Sequence, residues 1–452
     1  MAVSNFTYEI KSVIVLKFAN LIGGIPTKAD LKTSIDITPQ VREINLFQSI
    51  FMPYMKTEIA VVDPIGLFVN FPLSGEEAVF ITYKDVNADK TYTLPFIIDT
   101  VNYISVSDKA REAAYMINCV AVEAYANAKQ TIQEAYHDTA PNIIKQIFDK
   151  HIVKRTQDVF RAYTPVPLLV DNNDALSGTI VIPNMLPFEA IKMVSELYVS
   201  TTEGRDTPLF FQTPLNFNFT SMQALYDPTT RAATRRKAHR LKYKYQSNEI
   251  NDPNTKLEND GRIITNLVYN KRYSSLEKLA LGYFHNVLFE VNIAQKAVWG
   301  EPRKIEDLKT IYPNKLNTKA FQDLATIKDQ DAEKSNRTRY VITTQRENDN
   351  QFPVSRQRDR WGGDIQTLIA MGQIDLTITI PGTSQFTAGD LIEIDIPEVH
   401  AFNTLKADDL VSGIFVIAEI KHIFGHGGVH STVMRINKDS YTSSIDRPSR
   451  YA

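Results

Sequence analysis

Apolar side chains recur at every second position along much of this chain. The pattern is plainest near its end, in Ile374–Pro381, Ala388–Pro397, Leu410–His422 and His430–Ser440, with Gly and Pro in the gaps. A period of two sends alternate side chains to opposite faces, so each run predicts a strand with one buried face. Four such runs at this spacing predict a small antiparallel barrel or sandwich.

The same period governs residues from about 8 to 125. Strands are predicted over Ile10–Phe18, Ser34–Phe47, Lys56–Asp63, Ala78–Lys84, Tyr92–Ser107 and Ala113–Tyr125. Gly23-Gly24, Asp63-Pro64, Leu73-Ser-Gly75 and Val86–Asp89 supply turn signals between them. Val41–Ile50 has mixed periodicity and leaves a short helix open.

The period then lengthens. Ala128–Ile152 contains no Gly and places Ile132, Ala135, Ile143, Ile144, Ile147 and Phe148 roughly on one helical face. Pro141 splits it, and Asp138-Thr-Ala-Pro141 reads as the cap of a second helix. Pro187–Tyr198 predicts another helix, with Phe188, Ile191 and Val194 at helical steps. Thr207–Thr213 and Phe217–Phe219 then predict a strand pair, and Ser221–Tyr226 a helical turn.

Residues 227–260 are polar and charged. Strand periodicity returns in Ile263–Lys271, Gly282–Phe289 and Phe289–Trp299. From about 301 to 360 the chain is charge-rich, broken by Arg339–Thr344, and reads as a long linker. Trp361–Gln373 predicts a helix leading into the last strands. The expected class is α+β, mainly β, with two antiparallel β-barrel modules around a helical middle. The expected divisions are 1–125, 126–230, 231–360 and 361–452. No short tandem repeat is visible.

Composition narrows the functional classes. A length of 452 residues allows two to four domains. Hydrophobic content of 43% and charged content of 23% suit a folded soluble protein. The net charge of −2 gives no whole-molecule field toward nucleic acid or anionic lipid. The single cysteine, Cys119, excludes an intramolecular disulfide framework and reads as a buried thiol. No run approaches the roughly 18–20 apolar residues of a spanning helix, so membrane insertion is not expected. Nor is a standard secretory signal expected at the N-terminus.

None of the 18 glycines precedes a lysine, so a P-loop is absent, as are G-x-G-x-x-G, H-E-x-x-H and G-x-S-x-G. No cofactor is implied. Three features could carry chemistry. His422, His426 and His430 are spaced by four on a strand end and a glycine-rich hairpin, and read as a metal clasp or as polar residues around a turn. Glu393 and Asp395 share one strand face with Asp390 and Asp375 nearby. They read as a carboxylate pair or as a solvated outer face. Arg231–Lys244 holds seven Lys or Arg and no acid, including Arg235, Arg236, Lys237 and Arg240. It reads as a nucleic-acid patch, a docking arm or an exposed loop, and 231–260 is expected to be loop-like.

Gly389–Pro397, Val411–Phe424 and Thr432–Ser440 resemble the end of the baseplate hub proteins of contractile-tailed phages. The motif positions are Gly389, Asp390, Gly413 and Asp439. The middle is similar too, in Pro187–Ile191, Pro208–Phe211 and Phe219–Leu225; the N-terminal module matches only in character. The resemblance implies a homotrimer in which two tube-like barrels per chain form a pseudo-hexameric ring. That ring would adapt a sixfold tail tube to a threefold central spike, touch other baseplate proteins, and let DNA pass through its pore. It implies residence in the virion after assembly in the host cytoplasm, with a structural and non-enzymatic role. The basic segment and the polar linker have no assigned place in such a ring. The competing readings are a virion-associated hydrolase of cell-wall glycan and a nucleic-acid-binding module.

Overall fold

The computed structural model describes residues 8–17, 34–64, 66–75, 77–85, 89–107, 112–159, 163–170, 177–198, 207–226, 242–245, 263–272, 274–281, 283, 285–293, 295–304, 316–317, 319–320, 337–343, 368, 370–396, 408, 411–426 and 428–442. The N-terminal strands are β1 (Tyr8–Leu16), β2 (Ser34–Asp36), β3 (Val41–Ser49), β4 (Lys56–Asp63), β5 (Ala78–Asp85), β6 (Lys90–Ser107) and β7 (Glu112–Ala121). A 3-10 turn at Thr38–Gln40 separates β2 from β3, with Pro39 near its start. Val41–Ser49 is therefore extended and not helical. Its pairing with β4 along Val41–Phe47 gives its backbone groups ladder partners. Val13, Ile44, Ile59, Ile81 and Ile117 fill the core of this module.

The middle region carries short helices: α1 (Val122–Ala128), α2 (Ala140–Ile147), α3 (Lys154–Val159), α4 (Pro187–Ser195) and α5 (Met222–Tyr226). A π-helical turn, Phe148–Val153, joins α2 to α3. Thr139 occupies the position before α2 without a side-chain capping bond, and Pro141 sits in the helix's first turn. The expected helix before Pro141 does not form. Ile132 bridges to Met185, and β8 (Ala135–Thr139) pairs with β10 (Ser177–Val181). Tertiary pairing overrides a weak helical period there. Between them in sequence, β9 (Leu168–Val170) pairs in parallel with β12 (Phe217–Ser221), which also pairs with β11 (Pro208–Gln212). Ile144, Phe148, Val194 and Phe217 form this region's core.

The remaining strands are β13 (Lys242–Tyr245), β14 (Ile263–Ile264), β15 (Asn266–Arg272), β16 (His285–Asn292), β17 (Ala297–Lys304), β18 (Lys319–Ala320), β19 (Arg337–Thr343), β20 (Ile374–Pro381), β21 (Leu391–Asp395), β22 (Gly413–Gly425), β23 (Val429–Lys438) and β24 (Ser440–Tyr441). Phe289 lies inside β16, so the strand and turn fall differently from the expected runs. The expected linker is also structured in part: β17 reaches Lys304, β19 pairs in parallel with β16, and Leu316 is buried in the C-terminal core.

The basic segment departs from expectation as well. Lys242–Tyr245 is a strand, not a loop, and Tyr243 is buried among Ile394, Phe386 and their neighbours. The alternation Lys-Tyr-Lys-Tyr has the period of two that permits this. Arg235, Arg236, Lys237 and Arg240 lie outside the described residues.

The protein is mainly β, and its strands do not divide into two separate sheets. One 14-stranded sheet runs through both modules. Within it the same wiring occurs twice. In the N-terminal module β1 pairs with β2 and β5, β3 with β4, β4 with β7, β5 with β6 and β6 with β7. In the C-terminal module β13 pairs with β14 and β21, β15 with β20, β20 with β23, β21 with β22 and β22 with β23. In chain order β13, β14 with β15, β20, β21, β22 and β23 thus repeat β1, β2 with β3, β4, β5, β6 and β7. The first strand differs in direction: β1 is antiparallel to its neighbours, β13 parallel.

Candidate functional site

The modules meet where β22 pairs with β3, from Glu419 opposite Ser49 to Gly425 opposite Glu43. The long strand β22 makes this possible. Its first residues pair with β21, a bulge follows at Ala418, and the same edge then takes β3. Ile50 N–H donates to Ala418 O at 3.0 Å, and His426 N–H to Arg42 O at 2.8 Å, at the two ends of the ladder. Side chains cross over as well. Phe424 of β22 belongs to the N-terminal core, and Ile50, just past β3, belongs to the C-terminal one. The Lys421 ammonium lies 5.3 Å over the Phe47 ring.

The histidines occupy this junction without converging. His422 is buried, with Nδ1 3.4 Å from Thr432 Oγ1. The His430 ring stacks on Phe424 at 4.7 Å, stands 4.2 Å from Tyr8 and 5.6 Å from His422. His426 is exposed in the turn. Burial pulls His422 down to about 4. Burial and the neighbouring His422 pull His430 to about 2. Both are neutral at neutral pH and act as flat aromatic fillers. Among the described residues no three His, Cys, Asp or Glu side chains are grouped as metal ligands.

The acids near the end also have structural settings. Glu393 and Asp395 share a half-covered face of β21, opposite buried Ile392, Ile394 and Ile396. Strand β13 places Lys242 in register with Glu393, and Lys244 with Asp395. Asp375 is held by Arg435 at 2.7 Å.

Asp390 precedes β21 and closes a turn. Its carboxylate accepts from Thr387 N–H at 2.8 Å and Thr387 Oγ1 at 3.0 Å, and its carbonyl from Ile417 N–H at 2.9 Å. The N-terminal module holds a matching turn that the sequence had offered only as a turn signal. There Glu77 accepts from Ser74 N–H and Ser74 Oγ, each at 2.9 Å, and its carbonyl from Ile98 N–H at 2.9 Å. A hydroxyl residue followed three positions on by a carboxylate, just before the equivalent strand, is the shared local signal. Lys17 adds an ion pair to Glu77 at 2.7 Å. Burial works to raise the Glu77 carboxyl, but Lys17 and Ser74 outweigh it and hold it below the usual 4.5.

Gly389 has φ +88° and Gly413 φ +132°, conformations that L side chains rarely adopt. A Cβ on Gly413 would fall 2.5 Å from Asn317 Oδ1. That side chain bridges the strand end: Oδ1 accepts from Ile414 N–H at 2.9 Å, and Nδ2 donates to Ile414 O at 3.0 Å. Asp439 accepts from Leu316 N–H at 3.2 Å and from Ser440 Oγ at 2.6 Å. Ile414, Asp439 and Ser440 therefore pin residues 316–317 against the C-terminal module, and Gly413 leaves room for the Asn317 side chain. Sequence reading also missed Lys438, which is fully buried and donates to Val411 O at 2.9 Å and Ser412 O at 3.0 Å. It missed Glu123 too, whose carboxyl burial pushes up and which accepts from Tyr163 OH at 2.9 Å and Gln212 Nε2 at 3.1 Å. Gln212 Oε1 in turn accepts from Met55 N–H at 3.0 Å, tying the middle region to the N-terminal module. Cys119 is a buried free thiol.

No family model and no curated protein matches the chain. Solved structures do. The tail protein from Neisseria meningitidis MC58 aligns over 96% of this chain and 97% of its own, with a TM-score of 0.53 and 10% identity. The 43 kDa tail protein of prophage MuSo2 from Shewanella oneidensis aligns over 95% and 99%, with a TM-score of 0.51 and 9% identity. The fold is that of tail proteins. The similarity runs the length of both chains, in line with the resemblance to baseplate hubs read from the sequence motifs. An Escherichia coli component of the type VI secretion system also aligns, over 90% of this chain and 78% of that one, at a TM-score of 0.42 and 10% identity.

Proposed function

We propose that this chain is a structural subunit of a phage-type tail: a baseplate hub that joins the tail tube to the central spike as a homotrimer. The observation that carries the reading is the wiring that occurs twice in one chain. Each module reads as a small barrel. In support, β2 runs on through a short turn into β3, with β1 beside the first and β4 beside the second. Strand β14 runs on into β15 in the same way between β13 and β20. Two modules per chain and three chains supply six similar units, which suits a sixfold tube above a threefold spike. The divisions we propose are a module within 1–125, a helical region over 126–230, and a second module. That second module takes β13–β15 from 231–360 and the strands of 361–452. Other baseplate proteins would bind the outer surface and DNA would pass through the ring. The subunit would reside in the virion after assembly in the host cytoplasm.

The role is mechanical, with no turnover of its own. The clustered acids are matched in register by lysines or paired with Arg435, and His422 and His430 are neutral. Light scattering should report about three times 51.2 kDa, near 154 kDa. A chain that remains monomeric after addition of a spike partner sinks the proposal. So does turnover of peptidoglycan or DNA by the purified chain that is lost on mutating Glu393 and Asp395.

A further inference from the structure

The junction inside the chain specifies a second junction between chains. β22 carries two partners along one edge: β21 over Gly413–Val416 and β3 over Glu419–Gly425, with the bulge at Ala418 between them. Its counterpart β6 has the same layout for its first half. It takes β5 along Lys90–Ile97, and a bulge follows at Asp99. Beyond that bulge β7 runs along one edge as far as Ser107, and among the described strands nothing pairs with the other. The counterpart of β3 is β15. β3 is flanked by β4 and β22, whereas β15 has β20 on one side and no described strand on the other. Each module thus has the edge that the next module's strand would fill, and among the described strands only the β3–β22 filling is made within the chain.

We infer that β6 of one chain pairs antiparallel with β15 of a second copy, with Val101 opposite Arg272 and Ser107 opposite Asn266. The inference rests on the hub reading and adds the strands and their register. The register follows from the internal junction. Thr100 and Glu419 are each the first paired residue after the bulge. Tyr103 corresponds to His422, since their partners Tyr115 and Thr432 hold matching places in β7 and β23. Val268 and Tyr269 correspond to Asn45 and Leu46 through β20 and β4. Relative to its counterpart, β6 has one additional irregularity, between Tyr103 and Ser105, and β15 has one between Tyr269 and Lys271. Either alone would throw the ladder out of step by one residue and reverse every side chain beyond it. They fall beside each other in the proposed pairing, one on each strand, and cancel.

Burial points the same way. His422, Asn45 and Leu46 are 6%, 4% and 1% exposed, covered by the β3–β22 pairing and the layers around it. Their counterparts Tyr103, Val268 and Tyr269 are 70%, 45% and 43% exposed. Long strand edges bearing large apolar side chains invite pairing with another chain. Because the two edges differ, the contact is head-to-tail, and such a contact closes into a ring when its rotation allows. Three chains then repeat one junction type around the ring, alternately within and between subunits.

The test is disulfide trapping in the full chain, where Cys119 is buried away from oxidant. One variant carries Asn102→Cys with Lys271→Cys, a second Tyr103→Cys with Asn270→Cys. Successive antiparallel pairs alternate between narrow and wide spacing, so one of the two suits a disulfide. A third variant, Asn102→Cys with Tyr269→Cys, is displaced by two residues as a control. Mild oxidation should give dimer and trimer bands on a non-reducing gel from an in-register variant, and far less from the displaced one. A trimer by light scattering that cross-links in neither in-register variant, or preferentially in the displaced one, overturns the strand assignment and leaves the hub reading standing. A chain that stays monomeric at every concentration and with a spike partner overturns both.

Discussion

The N-terminal and C-terminal modules have the same strand wiring but different surroundings. In the C-terminal module the long strand β22 is covered along its second half by β3. In the N-terminal module the second half of β6 has β7 on one side only among the described strands. The chain between successive strands differs too. β4 follows β3 after a short turn, whereas β20 follows β15 only after residues 273–373. Backbone pairing depends on extended geometry and not on particular side chains, so one wiring can persist while sequence and insertions diverge. What the modules share chemically is concentrated at the turn before β5 and β21, where Ser74 with Glu77 and Thr387 with Asp390 make the same bonds.

The comparison breaks most readily at the aromatic that crosses between modules. Phe424 lies on a C-terminal strand but packs with Tyr8 and Tyr83 in the N-terminal core. Phe424→Ala should cost about 3–5 kcal/mol in urea unfolding. It should also lower hydrogen-exchange protection in β1 and β5. Protection lost only in β22 and β23 would mean that the modules are energetically independent.

The glycines give the next effect. Gly413→Ala should cost about 2–3 kcal/mol, because φ +132° is unfavourable and the added Cβ meets Asn317 at 2.5 Å. Gly75 has φ +88°, and a Cβ added there would meet Asp99 O only at 3.9 Å. Strain alone then predicts about 1–2 kcal/mol. Equal losses at both sites would show that the Asn317 contact yields freely.

The matched turns sharpen the comparison. Ser74→Ala and Thr387→Ala should each cost about 1 kcal/mol, the net worth of one hydroxyl bond to a carboxylate. Glu77 also makes the N-terminal turn sensitive to acid. Its folded pKa is depressed, so its contribution is full above about 4.5 and is lost as pH falls through the folded value. Melting temperature followed from about pH 6 to pH 3 should fall more steeply in the parent than in Glu77→Gln. Identical slopes would show that this carboxylate carries no acid sensitivity.

The smallest effect lies where β13 joins the second module. Lys242→Glu should destabilise by about 0.2–1 kcal/mol by placing like charges beside each other, and adding Glu393→Lys should restore the loss. No recovery in the double variant, read by thermal melting, would show that the register-matched charges do not interact.

The period of two made most strands of both modules legible, because a half-buried strand cannot hide its alternation. Pro141 and Pro187 marked helix starts for an equally local reason, since proline lacks the N–H that a first helical turn leaves unpaired. Reading failed where partners lay far off in sequence. Ala135–Thr139 became a strand because Ser177–Val181 lay beside it, and Lys242–Tyr245 left its charged context to pair with β21. At the junction the sequence offered His422, His426 and His430 as a set by their spacing, but the hairpin buries His422, half-buries His430 and exposes His426.

By itself the sequence determined the mainly β class and the helical middle, both set by interactions between residues close along the chain. Only the tertiary structure decided that one sheet crosses both modules, that their wiring repeats, and that Ser74 and Glu77 answer Thr387 and Asp390. The reason is physical: strand partners are chosen by hydrogen bonds and burial between segments hundreds of residues apart, and a strand's own side chains encode which face is buried but not which neighbour covers its edge.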